Sequence, residues 1–108
     1  IPYRDWVVRK EFFDGKTNLH LYIEPKTMEI GFAEDARLVI AQYLRDCNPD
    51  YRGFEEIMGR DPLVLSLLSK GAFEAYMTAQ QKAGADIAHI KPPHMQPSEK
   101  IMAHLLQM

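Results

Sequence analysis

Between Thr17 and Glu24 the chain alternates strictly, with Leu19, Leu21 and Ile23 on one parity and His20, Tyr22 and Glu24 on the other. A repeat of two residues suits an extended strand with one face on a core and the other in polar surroundings. Such a strand needs partners on its flanks and cover on its apolar face, so this stretch commits the chain to a sheet. Upstream, Trp6, Val7, Val8, Phe12 and Phe13, with Arg9, Lys10 and Glu11 between them, predict a strand over residues 3–13. Asp14-Gly15 then supplies the dipeptide that tolerates the positive φ of a tight hairpin. Downstream, Pro25-Lys26 turns the chain, and Met28, Ile30 and Phe32 alternate with Glu29 and Gly31. The first third therefore reads as a three-stranded antiparallel meander.

At Ala33 the period changes. Ala36, Ile40, Tyr43, Leu44 and Cys47 recur at helical spacing, with Glu34 and Asp35 in the first turn, where the helix dipole favours negative charge. Asn48-Pro49-Asp50 ends this helix, because a residue before proline is driven out of helical angles. Residues 51–62 are polar and fit either a loop or a short helix over Phe54 to Met58 closed by Gly59. Leu63 to Leu68 is a brief apolar run of buried-strand length. A second helix is predicted from Lys70 or Gly71 to Ala83, with Phe73, Tyr76 and Met77 on its stripe and Gly84 at its stop. Ile87, Ala88 and Ile90 predict a final short strand and complete a strand–helix–strand unit with a right-handed crossover. Pro92, Pro93 and Pro97 stiffen the next stretch, and Ser98 caps a last helix with Ile101, Met102, Leu105 and Leu106 on one side. The fold class is α+β: meander, helix, strand–helix–strand unit and C-terminal helix, in a single domain over residues 1–108.

Composition narrows the function classes. With 108 residues, one core forms without disulfides or a structural metal. Its 13 basic and 15 acidic side chains leave a net charge of -2, which gives no broad electrostatic footprint for nucleic acid or a membrane surface. No apolar run approaches the roughly 18 residues of a membrane span. Cys47 has no second cysteine to pair with, which fits a reducing, cytoplasmic compartment. The first residue is Ile1 rather than Met, so a fragment of a longer protein is expected.

Reactive motifs are sparse. His89, His94 and His104 crowd the last twenty residues, but His89 and His94 are five positions apart with two prolines between them. An i,i+4 ligand pair is not formed, and no metal is assigned. Cys47 falls on the predicted core stripe of the first helix, where a thiol acts as a small apolar group. Neither glycine-rich phosphate motif occurs, so no cofactor is expected. A nucleic-acid surface has more support: Arg4, Trp6, Arg9, Lys10 and Lys16 cluster on the meander, and a basic, aromatic sheet face stacks bases while neutralising phosphates. Ile101, Met102, Leu105 and Leu106 either pack on the sheet or form an apolar patch for a partner.

Three stretches together resemble a large polyvalent protein-associated accessory domain of conjugative relaxases and mobilisation proteins. They are Phe12-Phe13-Asp14-Gly15-Lys16-Thr17 around the hairpin, Ala33 to Leu44 as a first helix, and Leu65 to Ile87 with Ser69-Lys70-Gly71-Ala72-Phe73 and Ala83-Gly84-Ala85-Asp86-Ile87. The resemblance implies a parent that nicks and carries plasmid DNA, with the nicking chemistry elsewhere. This segment would be a non-catalytic interaction or translocation-recognition module touching other domains of the parent or the secretion machinery. The alternatives are a single-stranded nucleic-acid-binding accessory domain and, further off, a small metal-dependent hydrolase built on His89 and His94.

Overall fold

The computed structural model describes residues 3–13, 15–27, 31–86 and 89–107. The chain runs β1 (Tyr3–Phe13), β2 (Lys16–Pro25), α1 (Phe32–Cys47), α2 (Pro49–Met58), β3 (Leu63–Leu67), α3 (Ala72–Lys82) and α4 (Glu99–Leu105). The α+β class stands. β1 and β2 form the expected antiparallel hairpin: Phe13 pairs with Lys16, and Gly15 takes a φ of 72°, which a side chain would resist. Asp14 lies outside the described residues.

The meander does not hold. Met28 to Ile30 lie outside the described residues, Gly31 is the N-cap of α1, and Phe32 is already helical. The third strand of the sheet is β3, which pairs with β2 in parallel, Leu19 to Ile23 against Leu63 to Leu67. A parallel neighbour needs a long crossover, and α1 and α2 supply it. Residues 48–62 hold the structural surprise: Asn48 ends α1 and caps α2, its side chain accepting the Tyr51 N–H at 3.1 Å, with Pro49 opening the new helix. Proline ends one helix and starts the next, because its missing N–H is no loss in a first turn.

The predicted final strand over residues 87–90 falls largely outside the described residues. Ile87 and Ala88 lie outside the described residues, and the His89 N–H closes a turn onto the Asp86 carbonyl at 2.8 Å. The edge of β1 is instead flanked by residues 94–96. The Val8 N–H donates to the His94 carbonyl and the Gln96 N–H to the Val8 carbonyl, both at 2.8 Å, in a parallel bridge to Met95. Gln96 holds a φ of 50°, a left-handed angle that costs a side-chain residue about 1–2 kcal/mol. Its amide oxygen accepts the Lys10 N–H at 2.9 Å, which ties the strained residue to the strand beside it.

The pleat sorts side chains onto two faces. Val7, Tyr22 and Leu68 meet Ala72, Phe73 and Tyr76 of α3 and Met102 and Leu105 of α4 in one core. Leu19, Leu21 and Leu63 meet Ile40, Ala41 and Leu44 of α1 and Tyr51 of α2 in the other. The α1 stripe is rotated from its expected position: Ala36 and Ala41 are the buried residues, Tyr43 is 67% exposed, and Cys47 is exposed rather than packed. Two small alanines let the helix approach the sheet closely, and the larger Tyr43 and Cys47 fall to the outside.

Two carboxylates fasten these layers. Glu24, 1% exposed, accepts the Gly71 N–H at 3.0 Å and the Phe73 N–H at 2.9 Å, and Arg4 Nε stands 3.7 Å away. The orphan amides of the α3 start are thereby satisfied from the end of β2. Gly71, at a φ of 90°, makes the turn that aims its amide at the carboxylate. Asp61 accepts from the Tyr51 hydroxyl, the Leu63 N–H at 3.0 Å, Arg37 Nη1 at 3.0 Å and Arg45 Nη2 at 3.0 Å. Burial alone would raise the Asp61 carboxyl, but the Tyr51 and Leu63 hydrogen bonds and the two guanidiniums outweigh it and hold the group below its usual range.

Removing either carboxylate has a measurable consequence. Glu24→Gln leaves the α3 amides with one neutral acceptor and lowers the unfolding free energy by about 2 kcal/mol in urea titrations; a change below about 0.5 kcal/mol would show that the helix start is held otherwise. Asp61 is lowered on folding, so its contribution is complete above its unfolded value of 3.8 and is lost as pH falls through the folded value. In urea titrations stepped from neutral pH into this acid range, Asp61→Asn has a flatter acid limb than the parent chain. Parallel limbs would contradict the assignment.

Candidate functional site

The two sheet faces carry different surfaces. On the α1 face, the helix packs over β3 and part of β2, and among the described residues the sheet toward β1 stays open. Trp6 and Val8 of β1, Leu21 of β2, Val39 and Leu44 of α1, and Met95 of the edge segment line an apolar trough of about 740 Å3. Its walls include side chains that a folded monomer ordinarily buries: Val39 is 59% exposed and Met95 67%. Trp6 is braced rather than free, stacking on the His94 ring at 4.2 Å between centroids, while His94 Nε2 lies 2.9 Å from Asp5 Oδ1 and Lys91 Nζ 3.4 Å from Asp5 Oδ2.

The opposite face carries a polar chain at the end that α3 and α4 leave uncovered. His20 Nδ1 lies 2.6 Å from Glu11 Oε1, His20 Nε2 lies 2.6 Å from Ser66 Oγ, and the Tyr22 hydroxyl donates to Glu11 Oε2 at 2.6 Å. The His20 and Tyr22 rings stack at 3.9 Å. Burial pushes the Glu11 carboxyl up, but the Tyr22 and His20 hydrogen bonds and the charges of His20 and Arg9 bring it below its usual range. Burial and the Glu11 carboxylate both push the Tyr22 phenol up. Hydroxyl, imidazole and carboxylate in this order resemble a nucleophile with its base and orienting group. Acyl transfer also needs donors for the developing oxyanion. Ser66 lies within a strand whose register aims its amide at β2, so the chain works as a three-strand polar tie.

The residues expected to bind nucleic acid do not share a face. Arg9 lies beside His20, its Nε buried without a hydrogen-bond partner among the described residues, whereas Lys10 points to the other side with Trp6. Arg4 is paired with Glu24, and Lys16 sits exposed at the hairpin end. Of the expected partner-binding residues, Met102 and Leu105 are corrected to core, at 4% and 0% exposed, because α4 lies against Tyr76 and Val7. Ile101 packs against that core, and Leu106 is 52% exposed. The histidines disperse: His94 joins Asp5, and His104 meets the Tyr76 ring edge-on at 5.3 Å. Among the described residues no three His, Cys, Asp or Glu side chains converge as metal ligands.

Sequence reasoning missed the polar chain and the Asp61 hub. The hairpin carried half of the first signal, because a two-residue turn fixes Arg9 opposite His20 and places Glu11 diagonally beside it. Ser66 and Asp61 had no such signal, since the position of β3 depends on a crossover that local pattern does not reveal.

No curated protein matches the chain. Among protein families, residues 5–100 match the one described as the GH3 family C-terminal domain. This overturns the resemblance to a relaxase accessory domain, and conjugation, plasmid transfer and type IV secretion are withdrawn with it. The Asp-Gly hairpin and glycine-stopped helix that carried the resemblance are generic solutions to chain reversal and helix termination, so they did not discriminate between families. The expectation that the segment is not an enzyme in its own right agrees with its place as a C-terminal domain; a DNA-nicking parent does not. With the match extending from β1 into α4, the chain belongs to the GH3 family, as its C-terminal domain.

Proposed function

We propose that this domain is an accessory unit that docks onto another part of its own GH3 family protein through the apolar trough between β1 and α1. The observation that carries the reading is the exposure of Val39 and Met95 beside Trp6 and Leu21 in one concave surface. A contiguous apolar patch on a folded domain marks an interaction surface, and a domain that is one portion of a larger protein has its nearest partner in the same chain. Asp5, His94 and Lys91 lie beside Trp6 as a polar rim, the usual border of such a contact. The Trp6 ring, immobilised by His94, presents a rigid anchor at low entropic cost. No described helix is long and apolar enough to cross a membrane. An exposed Cys47 with no cysteine partner supports the cytoplasm as the compartment.

Peroxide oxidation tests the docking directly. Met95 in the isolated chain oxidises at the rate of an exposed thioether, and in the intact GH3 protein it is protected several-fold. Val39→Asp in the intact protein restores rapid Met95 oxidation while leaving the circular dichroism of the isolated domain unchanged. Equal Met95 oxidation rates in the isolated chain and the intact protein would refute the proposal.

A further inference from the structure

Among the described residues the outer edge of β3 is an unprotected strand edge. The Leu19 N–H donates to the Pro62 carbonyl at 2.9 Å and the Leu68 N–H to the Ile23 carbonyl at 2.8 Å, which brackets the β2–β3 ladder. In this parallel register the Val64 and Ser66 amides face β2, and those of Leu63, Leu65 and Leu67 face away. The Leu63 N–H is taken by Asp61 Oδ1 at 3.0 Å. Among the described residues nothing accepts the Leu65 or Leu67 amide. Edge strands are ordinarily blunted by a charge, a proline or a bulge, yet Leu63–Leu67 reads Leu-Val-Leu-Ser-Leu in unbroken register. Val64 beside the edge is 37% exposed.

We propose that two copies of this chain pair edge to edge through β3, antiparallel, about a twofold axis at Leu65. The edge is self-complementary in that arrangement. Leu65 exchanges reciprocal N–H to carbonyl bonds with the partner's Leu65, and the Leu67 N–H reaches the carbonyl of the partner's Leu63. The ladder stops there, because the next amide is already held by Asp61. The leucine parity of one strand continues into that of the other, and Val64 comes opposite the partner's Ser66. A strand without charge presents no like-charge repulsion to its own copy, and isologous pairing of one patch with itself is the commonest route to a dimer. So short an interface belongs at the small end of protein contacts, so the dimer is weak and depends on concentration.

Sedimentation equilibrium of the intact chain over a wide concentration range, combined with amide exchange, decides the matter. The expected result is a mass rising from 12.5 kDa toward twice that value, with exchange at Leu65 and Leu67 slowing by about tenfold across the same range. Val64→Lys, at an exposed position that leaves both cores intact, abolishes the mass increase and the protection together. Leu65→Pro removes the central amide as a second variant, with folding checked by circular dichroism. A monomer at every concentration would overturn the proposal. So would a dimer that survives Val64→Lys with freely exchanging Leu65 and Leu67 amides, which would place the contact on another surface such as the trough.

Discussion

A single buried carboxylate fixes how the halves of this domain meet. Glu24 closes β2 and carries its charge into the interior, where the amides opening α3 receive it. A carboxylate with two amide donors and a guanidinium nearby is tolerable in that setting; an unpaired one is not. The arrangement therefore has one register. If β2 slid by two residues along β3, Tyr22 would face the α3 amides, and they would meet a phenol instead of an anion. The core of Val7, Leu68, Phe73 and Tyr76 is built over this fastening and follows from it.

Polar ties recur wherever one layer must be aligned with another. Asp61 aligns α1, α2 and β3, and the chain from Ser66 through His20 to Glu11 aligns the three strands. The apolar side chains supply most of the driving force, but they are nearly indifferent to a small slip. Directional hydrogen bonds remove that freedom. This division of labour suits the proposed docking, which requires a surface presented at a defined angle. The GH3 family assignment gives the domain its place as a C-terminal domain, and the trough is the surface proposed to hold it against the rest of its protein.

The sequence was most legible where structure is local. The hairpin, α1, α3, α4 and the strand character of Leu63 to Leu67 all follow from period, turn and cap signals within a few residues of each other. The mixed sheet was not legible, because whether Ile30 or Leu65 flanks β2 is settled by residues far apart in the chain. Helix rotation was partly misread for a related reason: Cys47 and Tyr43 sit at helical spacing from Ile40, but the sheet receives Ala41, whose small side chain carries little hydrophobic signal. At the site, the individual aromatic and apolar residues could be named in advance. Their sorting onto opposite faces required the register, which separates Arg9 from Lys10 and turns Met102 and Leu105 inward.

The segment 94–96 beside β1 joins parts of the chain 89 positions apart, as in the His94 to Asp5 contact. Contacts of that separation form late, because a long loop must close before they repay its entropy. The hairpin can assemble within microseconds from neighbouring residues, but its outer edge remains bare until residues 94–96 are available. During synthesis on the ribosome, β1 would therefore emerge well before its closing piece and wait, exposed to stray pairing, until residues 94–96 have followed it out of the exit tunnel.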